Sequence, residues 1–343
     1  IRDSTKKTRS KASTKAKPRK TVRSRKPKAP RRKGLIGLLQ RLFRWILRLI
    51  WRVLWRVGLV SGAVLGLFVA YYYTTLPPAV DLLDGRARGS VTMLDTQGKV
   101  FAWRGDQFGG AISSQTVSEH LRNAIIATED KRFFQHFGLS PRGIASAVRI
   151  NLSEGRGPLS GHGGSTITQQ TAKLLCLGVP YDPETQTEAE YETECRRGTI
   201  QRKAQEAIYA LAMEAKYSKD EILTIYMNRA FLGAGARGFE AASQRYFGKS
   251  AANVDPAESA MLAGLLVAPT RFAPTNDLTR SQNRAATIVR LMNEQGYLTD
   301  TQALQAQDTP AELSEAAERR AGGYFADWVM SSGPEFFTRK TTE

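Results

Sequence analysis

Apolar and polar positions change their pattern three times along this chain. From Val57 to Leu76 the sequence reads VGLVSGAVLGLFVAYYYTTL, without a charge. About 20 such residues, at roughly 1.5 Å rise each, cross a hydrocarbon layer of about 30 Å. Tyr71, Tyr72 and Tyr73 stand at one end, where amphipathic rings prefer the interface, and Pro77-Pro78 stops the helix. Upstream, Arg41, Arg44, Arg48, Arg52 and Arg56 recur every three or four residues, while Leu42, Phe43, Trp51 and Trp55 fill the other faces. That spacing predicts an amphipathic juxtamembrane helix over residues 35–56, its arginines reaching for phosphates, ahead of a transmembrane helix over 57–76. Next, Val91, Met93, Val100 and Ala102 alternate around Asp95–Gly98, which predicts a β-hairpin within a linker of residues 77–112. From Val117 onward the spacing is helical. Ser140-Pro141 places proline at a first helical position, and Ser218–Glu221 and Asp255–Glu258 read as capping boxes. The predicted fold class is mainly α, with a helical domain over residues 113–296 and a connector over 297–343. No fixed-period repeat is present.

Charge sharpens the division. The 343 residues carry a formal +18 and are 41% hydrophobic, enough for a sizeable core in one or two domains. Residues 1–56 hold 21 Lys and Arg against one acid, Asp3. The remaining 29 bases and 31 acids leave −2, so the folded part has no overall nucleic-acid footprint. Residues 1–34 are almost free of apolar side chains and are expected to form a disordered basic tail. A basic arm suits nucleic acid or anionic lipid, but beside an apolar span it also fixes topology, because flanking Lys and Arg stay in the cytoplasm. The apolar stretch is long and the basic region far exceeds a signal-peptide n-region, which favours a permanent anchor over a cleaved signal. The rest of the chain is then expected outside the cytoplasm. Cys176 and Cys195 lie in that part, flanking LGVPYDPETQTEAEYETE. An oxidising compartment permits a disulfide there, and closing such a loop contributes ~3 kcal/mol in the chain-entropy account. Two unrelated thiols are the alternative.

Three segments carry candidate chemistry. In EHLRNAIIATEDKRFFQHFG, Glu129 and Asp130 arrive as a helix ends, next to Lys131, Arg132, Phe133, Phe134 and His136. A carboxylate desolvated against aromatic rings becomes a stronger base, an effect that Lys131 and Arg132 oppose. An ordinary helix-end charge cluster is the other reading. In GHGGSTITQQTAKLL, Gly161, Gly163 and Gly164 let backbone approach a ligand, and Ser165, Thr166 and Thr168 offer hydroxyls where a helix starts. Gln169, Gln170 and Lys173 project from its first turns. The segment lacks the Gly-Lys-Ser/Thr ending of a Walker loop, and a glycine turn with a serine cap would also account for it. In QRKAQEAIYALAME, Arg202, Lys203 and Glu206 share one helical turn. An i,i+4 pair between Arg202 and Glu206 is a common surface feature. Taken together, two separated glutamates suit glycosyl chemistry, and bases beside a phosphate cradle suit a diphosphate leaving group.

At these residues a resemblance becomes specific. EDKRFFQHFG, GGSTITQQ, RKAQEAIYALAME, KDEILTIYMN and GARGFEAASQRYFGKS follow, in order, the motifs of the peptidoglycan glycosyltransferase domain. The chain resembles a class A penicillin-binding protein, or a monofunctional relative, over roughly residues 89–296. The resemblance implies a mostly helical, lysozyme-like domain that polymerises lipid II outside the cytoplasmic membrane, into β-1,4 glycan with inversion and release of undecaprenyl diphosphate. Carried over by position, Glu129 is the general base, and Asp130, Phe133 and His136 shape it. Gly164, Ser165, Thr166, Gln169, Gln170 and Lys173 contact the donor. Arg202 contacts the diphosphate and Lys203 adds positive charge. Glu206 is the second glutamate, helping the leaving group directly or through a divalent cation such as Mg2+, and no organic cofactor is expected. Implied partners are lipid II, the growing glycan strand, membrane lipids and cell-wall synthesis proteins, without nucleic acid. The implied location is the inner membrane, crossed once, with a cytoplasmic N-terminus and a periplasmic catalytic domain.

Two departures stand out. The family usually reads QQLAKN, whereas Leu174 stands where the asparagine is expected, and the segment between Cys176 and Cys195 is an insertion. The final segment, AERRAGGYFADWVMSSGPEFFTRKTTE, resembles a connector toward a transpeptidase domain. The motifs of that domain do not occur in this sequence, Ser4–Lys7 fitting one by accident, so the chain reads as the front portion of a bifunctional enzyme. A lysozyme-like hydrolase shares the fold and the glutamate, but Lys173 and Arg202 beside a diphosphate cradle would be useless to it. A decayed, purely scaffolding site has only Leu174 in its favour.

Overall fold

A computed structural model describes residues 34–83, 91–98, 100–104, 107–108, 110–158, 163–182, 184–195, 197–318 and 328–329. The basic tail before Gly34, Gly161 and His162 of the glycine segment, and most of the connector beyond Glu318 lie outside them. The chain divides into two compact units, residues 1–61 and 62–343. The helix α1 (Leu35–Thr75) begins in the first and ends in the second. Most of its described side chains are exposed, Val69 and Tyr72 packing against the helical core, and it is long and apolar enough to cross a membrane. The sequence divides this region at residue 56, but the backbone runs on unbroken. No proline interrupts it, and a change from arginine-striped to apolar faces alters what surrounds a helix, not its hydrogen bonds.

The second unit is built almost wholly of helices. The expected hairpin forms as β1 (Val91–Leu94) paired antiparallel with β2 (Val100–Arg104). A short β3 (Gln107–Phe108) follows, and then α2 (Glu119–Glu129), α3 (Pro141–Ser153) and α4 (Ile167–Leu174). After α5 (Glu188–Cys195) come α6 (Ile200–Lys216) and α7 (Lys219–Arg229). β4 (Ala236–Arg237) pairs parallel with β3, a contact between distant segments that no local pattern announces. The remainder is α8 (Phe239–Phe247), α9 (Pro256–Gly264), α10 (Pro269–Phe272), α11 (Leu278–Glu294), α12 (Asp300–Asp308) and α13 (Glu315–Glu318).

Helix α9 is the hub. Ala257 through Gly264 are all buried, and α2, α8, α11 and α12 pack around it. Its alanines let neighbours approach closely, and a Cβ on Gly264 would lie 3.0 Å from Cγ of Arg284 on α11. Because α12 packs on α9 and α11 and buries Ala303 and Ala306, the helical core continues past residue 296, the boundary expected from sequence. Capping boxes fix the starts of α7 and α9 as expected: Ser218 accepts from Glu221 N, and Asp255 from Glu258 N. Each such cap contributes about 1 kcal/mol.

A second cluster of bonds ties the end of α1 to α6 and α7. Lys216 donates to the carbonyls of Tyr73 and Leu76, and the Tyr217 hydroxyl donates to Pro77 O at 2.5 Å. Tyr72 meets Tyr209 edge to face at 5.2 Å, and Arg229 Nε donates to Leu82 O at 2.8 Å. These donors satisfy carbonyls that a helix end and an irregular segment leave open.

Candidate active site

One long open cleft runs from Tyr71, Tyr72 and Thr75 past the start of α4 to α6. Its walls bring together Gly164, Ser165, Gln169, Gln170, Lys173, Arg202, Lys203 and Glu206, the residues expected from two separate segments. The juxtaposition follows from α4 packing on both α6 and α7.

Glu129 is the last residue of α2. It sits half-buried, one residue back from the cleft wall, where Gln170 Nε2 donates to its Oε2 at 2.7 Å. Gln170 is itself held from behind, its Oε1 accepting from the Tyr226 hydroxyl at 3.3 Å. Burial raises the proton affinity of the Glu129 carboxyl. The Gln170 bond and the Arg284 guanidinium pull it back, and Asp130 adds a smaller push upward. The opposing charge is thus Arg284 of α11, not the adjacent Lys131 and Arg132 from which sequence expected it. Tyr226 is fully buried, and burial pushes its hydroxyl well above the usual tyrosine range, so it keeps the proton that it donates to Gln170.

Several expected ligand contacts turn inward. The Asp130 carboxylate bridges His136 Nε2 at 2.8 Å and the backbone N–H of Ile167 at 3.2 Å. The anion at the start of α4 is therefore the chain's own Asp130. Thr166 is buried, donates to Gly138 O at 2.6 Å, and caps α4 in a box with Gln169. The cap is thus a threonine, not the serine of the glycine-turn reading, and Gln169 Oε1 is spent on Thr166 N although the residue lines the cleft. Thr168 donates to Glu214 at 2.5 Å, and Glu214 pairs with Lys219 at 2.6 Å. Phe133 has no exposed surface and lies in the core with the Lys219 ammonium 4.4 Å from its ring centroid, so it shapes the site only from beneath. Gly164 serves packing: a Cβ there would fall 2.7 Å from Ile144 Cα.

On α6, Lys203 donates to Ser165 Oγ at 2.8 Å and pairs with Glu206. The expected partner of Glu206 was Arg202. Arg202 instead donates from Nε to Cys195 O at 3.0 Å, and from Nη2 to Cys176 Sγ at 3.7 Å. Cys176 and Cys195 form a disulfide with Cα atoms 5.0 Å apart. Lys173 is exposed on the cleft, and Leu174 lines it as an apolar wall. Among the described residues no three His, Cys, Asp or Glu side chains gather to hold a metal. The Glu206 carboxylate is engaged by Lys203. Sequence reasoning missed Tyr226, Arg284 and the cleft-lining Arg229. The first two act through Gln170 and Glu129, which only folding brings to them.

The family model described as Transglycosylase matches residues 97–293, and the chain belongs to that family. It is 34% identical over 278 residues to penicillin-binding protein 1A of Aquifex aeolicus, covering 79% of this chain and 36% of that protein. With penicillin-binding protein 1A of Escherichia coli it shares 33% over 242 residues, 71% of this chain and 26% of the relative. The chain thus spans about a third, or less, of the length of these curated relatives. The crystal structure of penicillin-binding protein 1A from Haemophilus influenzae aligns with a TM-score of 0.40 at 20% identity, covering 74% of this chain and 25% of that one.

Proposed function

We propose that the chain is a membrane-anchored peptidoglycan glycosyltransferase that polymerises lipid II into β-1,4 glycan strands. The observation that carries this is a desolvated Glu129, bonded to Gln170, beside a cleft lined by Lys203, Glu206 and Arg202. Glu129 takes the proton of the 4-hydroxyl on the acceptor's N-acetylglucosamine. Burial suits it to that work, because a carboxylate with raised proton affinity is a better base near neutrality. The freed oxygen bonds to the donor's anomeric carbon from the face opposite the leaving group. The carbon–oxygen bond to phosphate breaks, the anomeric centre inverts, and undecaprenyl diphosphate departs with the electron pair.

Negative charge then develops on the diphosphate, and Lys203, Arg202 and Lys173 offset it. Glu206 and Ser165 hold the Lys203 ammonium in place, so that a fixed charge meets the leaving group without reorganising. Helix α1 crosses the inner membrane with the basic tail in the cytoplasm, following the positive-inside rule, and the cleft lies on the periplasmic side. The cleft's margin at Tyr71 and Tyr72 suits a lipid-linked donor. The growing strand, membrane lipids and other cell-wall synthesis proteins are its partners.

The test is consumption of lipid II by the purified full chain and by Glu129→Gln. A general base contributes about 10²–10⁴-fold, so the variant should polymerise at least about a hundredfold more slowly while melting as a folded protein. Near-normal polymerisation by Glu129→Gln would remove the proposed base, and fragments released from finished glycan would point to a hydrolase instead.

A further inference from the structure

The segment closed by Cys176 and Cys195 takes no part in the steps above, yet Val179, Pro180, Tyr181 and Tyr191 form one side of the cleft. After α4 the chain turns through Cys176 and Leu177, whose φ angles of 49° and 57° place both in the left-handed region. Non-glycine residues hold such angles only where their surroundings impose them. The loop then bonds to itself. The Tyr191 hydroxyl donates to Val179 O at 2.6 Å, the Tyr181 and Tyr191 rings meet at 5.5 Å, and Thr187 N donates to Glu190 at 2.9 Å ahead of α5. The disulfide closes this unit onto the end of α4.

Immediately beyond it, Thr199 caps α6, and Arg202 on the first turn reaches back. Its Nε donates to the carbonyl of Cys195, and its Nη2 to the sulfur of Cys176. One guanidinium thus touches both halves of the crosslink while lining the cleft. Arginine carries five N–H donors in a rigid fork. Two contacts on one edge leave the remaining donors for a ligand in the cleft, and they fix the plane in which those donors lie. A long side chain whose orientation is already set loses less freedom when an anion binds.

We propose that the Cys176–Cys195 disulfide is a positioning clamp for Arg202, aligning its guanidinium with the diphosphate of a polyprenyl-linked ligand. The proposal rests on the diphosphate-binding role given to this wall above. The crosslink does not touch substrate; it acts through Arg202. Opening it frees Cys195 O to move and removes the shared anchor, so the fork samples orientations that face away from the cleft.

The experiment measures undecaprenyl diphosphate binding to the full chain in detergent micelles, alongside lipid II polymerisation. Four proteins are compared: wild type, Cys176→Ser/Cys195→Ser, Arg202→Ala, and the triple combination. The disulfide-free variant should bind about tenfold more weakly, the size expected when a charge-assisted contact loses its geometry. Its kcat/KM for lipid II should fall, with part of the loss in kcat, because the charge that Arg202 offsets develops as the diphosphate leaves. In the Arg202→Ala background the same two serines should cost nothing further, because the clamp has lost what it holds. A loss of equal size in both backgrounds would show a general structural role and overturn the proposal, as would unchanged binding in the serine variant. Should that variant fold poorly, the folded wild type and Arg202→Ala are instead treated with a phosphine reductant. Weakened binding is then expected only in wild type, and an equal response in both again overturns the clamp. Failure of the wild type to bind undecaprenyl diphosphate would instead overturn the reading of the wall itself.

Discussion

Replacing Gln170 by leucine separates two roles that the sequence merges. The side chain is of similar volume but donates and accepts nothing. In the wild type, Gln170 Nε2 lies 2.7 Å from Glu129 Oε2, and its Oε1 accepts from the buried Tyr226 hydroxyl at 3.3 Å. Losing the first bond removes a donor from an ionised group, worth about 1.5–3 kcal/mol in favour of the charged form. Burial already raises the proton affinity of Glu129 and the Gln170 bond lowers it, so the substitution drives that affinity further up. The fraction of Glu129 available as a base then falls most steeply at low pH. Losing the second bond strands a buried hydroxyl at a cost of about 1 kcal/mol, or roughly 2–4 °C in melting temperature for a domain of this size. Initial rates of lipid II polymerisation across pH 5–9 provide the readout. The acidic limb should move to higher pH in Gln170→Leu, so the deficit shrinks as pH rises. A deficit of constant size at every pH would mean that Gln170 contacts substrate without governing the proton on Glu129, and the assigned coupling would be wrong.

Two further expectations concern stability. Because Glu129 binds its proton more tightly in the folded chain than at its ordinary value of 4.5, its contribution is fully present below that value and is lost as pH rises through the folded one. Glu129→Gln should therefore melt at a higher temperature than wild type at pH 7, with the gap narrowing at pH 4; equal melting at both would contradict the desolvation. Gly164→Ala would set a methyl carbon 2.7 Å from Ile144 Cα and 2.9 Å from Ile144 N, backbone atoms that cannot swing aside. Overpacking of this kind costs about 1–3 kcal/mol, readable as a lower urea midpoint, and an unchanged midpoint would count against the close approach of α3.

What the sequence made legible was local. The caps at Ser218 and Asp255, the proline opening α3 and the hairpin at Asp95–Gly98 each depend on residues within a few positions of one another. The cleft residues Ser165, Gln170, Lys173, Arg202, Lys203 and Glu206 were identified through ordered motifs, and the structure gathers them. What was lost depends on packing between distant segments. Nothing near Glu129 indicates that Arg284 opposes its burial, because α9 and α11 must first pack beside α2. Helical spacing allows Glu206 either Arg202 or Lys203, and the loop that competes for Arg202 settles the choice. Thr166 and Thr168 read as ligand hydroxyls because sequence cannot show that Gly138 O and Glu214 reach them first. Phe133 read as a residue shaping the base, whereas its whole ring lies in the core.

The bonds from Lys216 and Tyr217 and the Tyr209 ring contact hold the end of α1 and the residues just after it, and Tyr71, Tyr72 and Thr75 line the cleft. Tyr72, on the last turn of α1, packs edge to face on Tyr209, and both line the cleft. A substitution at Tyr72 would therefore be felt in the anchor's last turns and in the cleft wall at once.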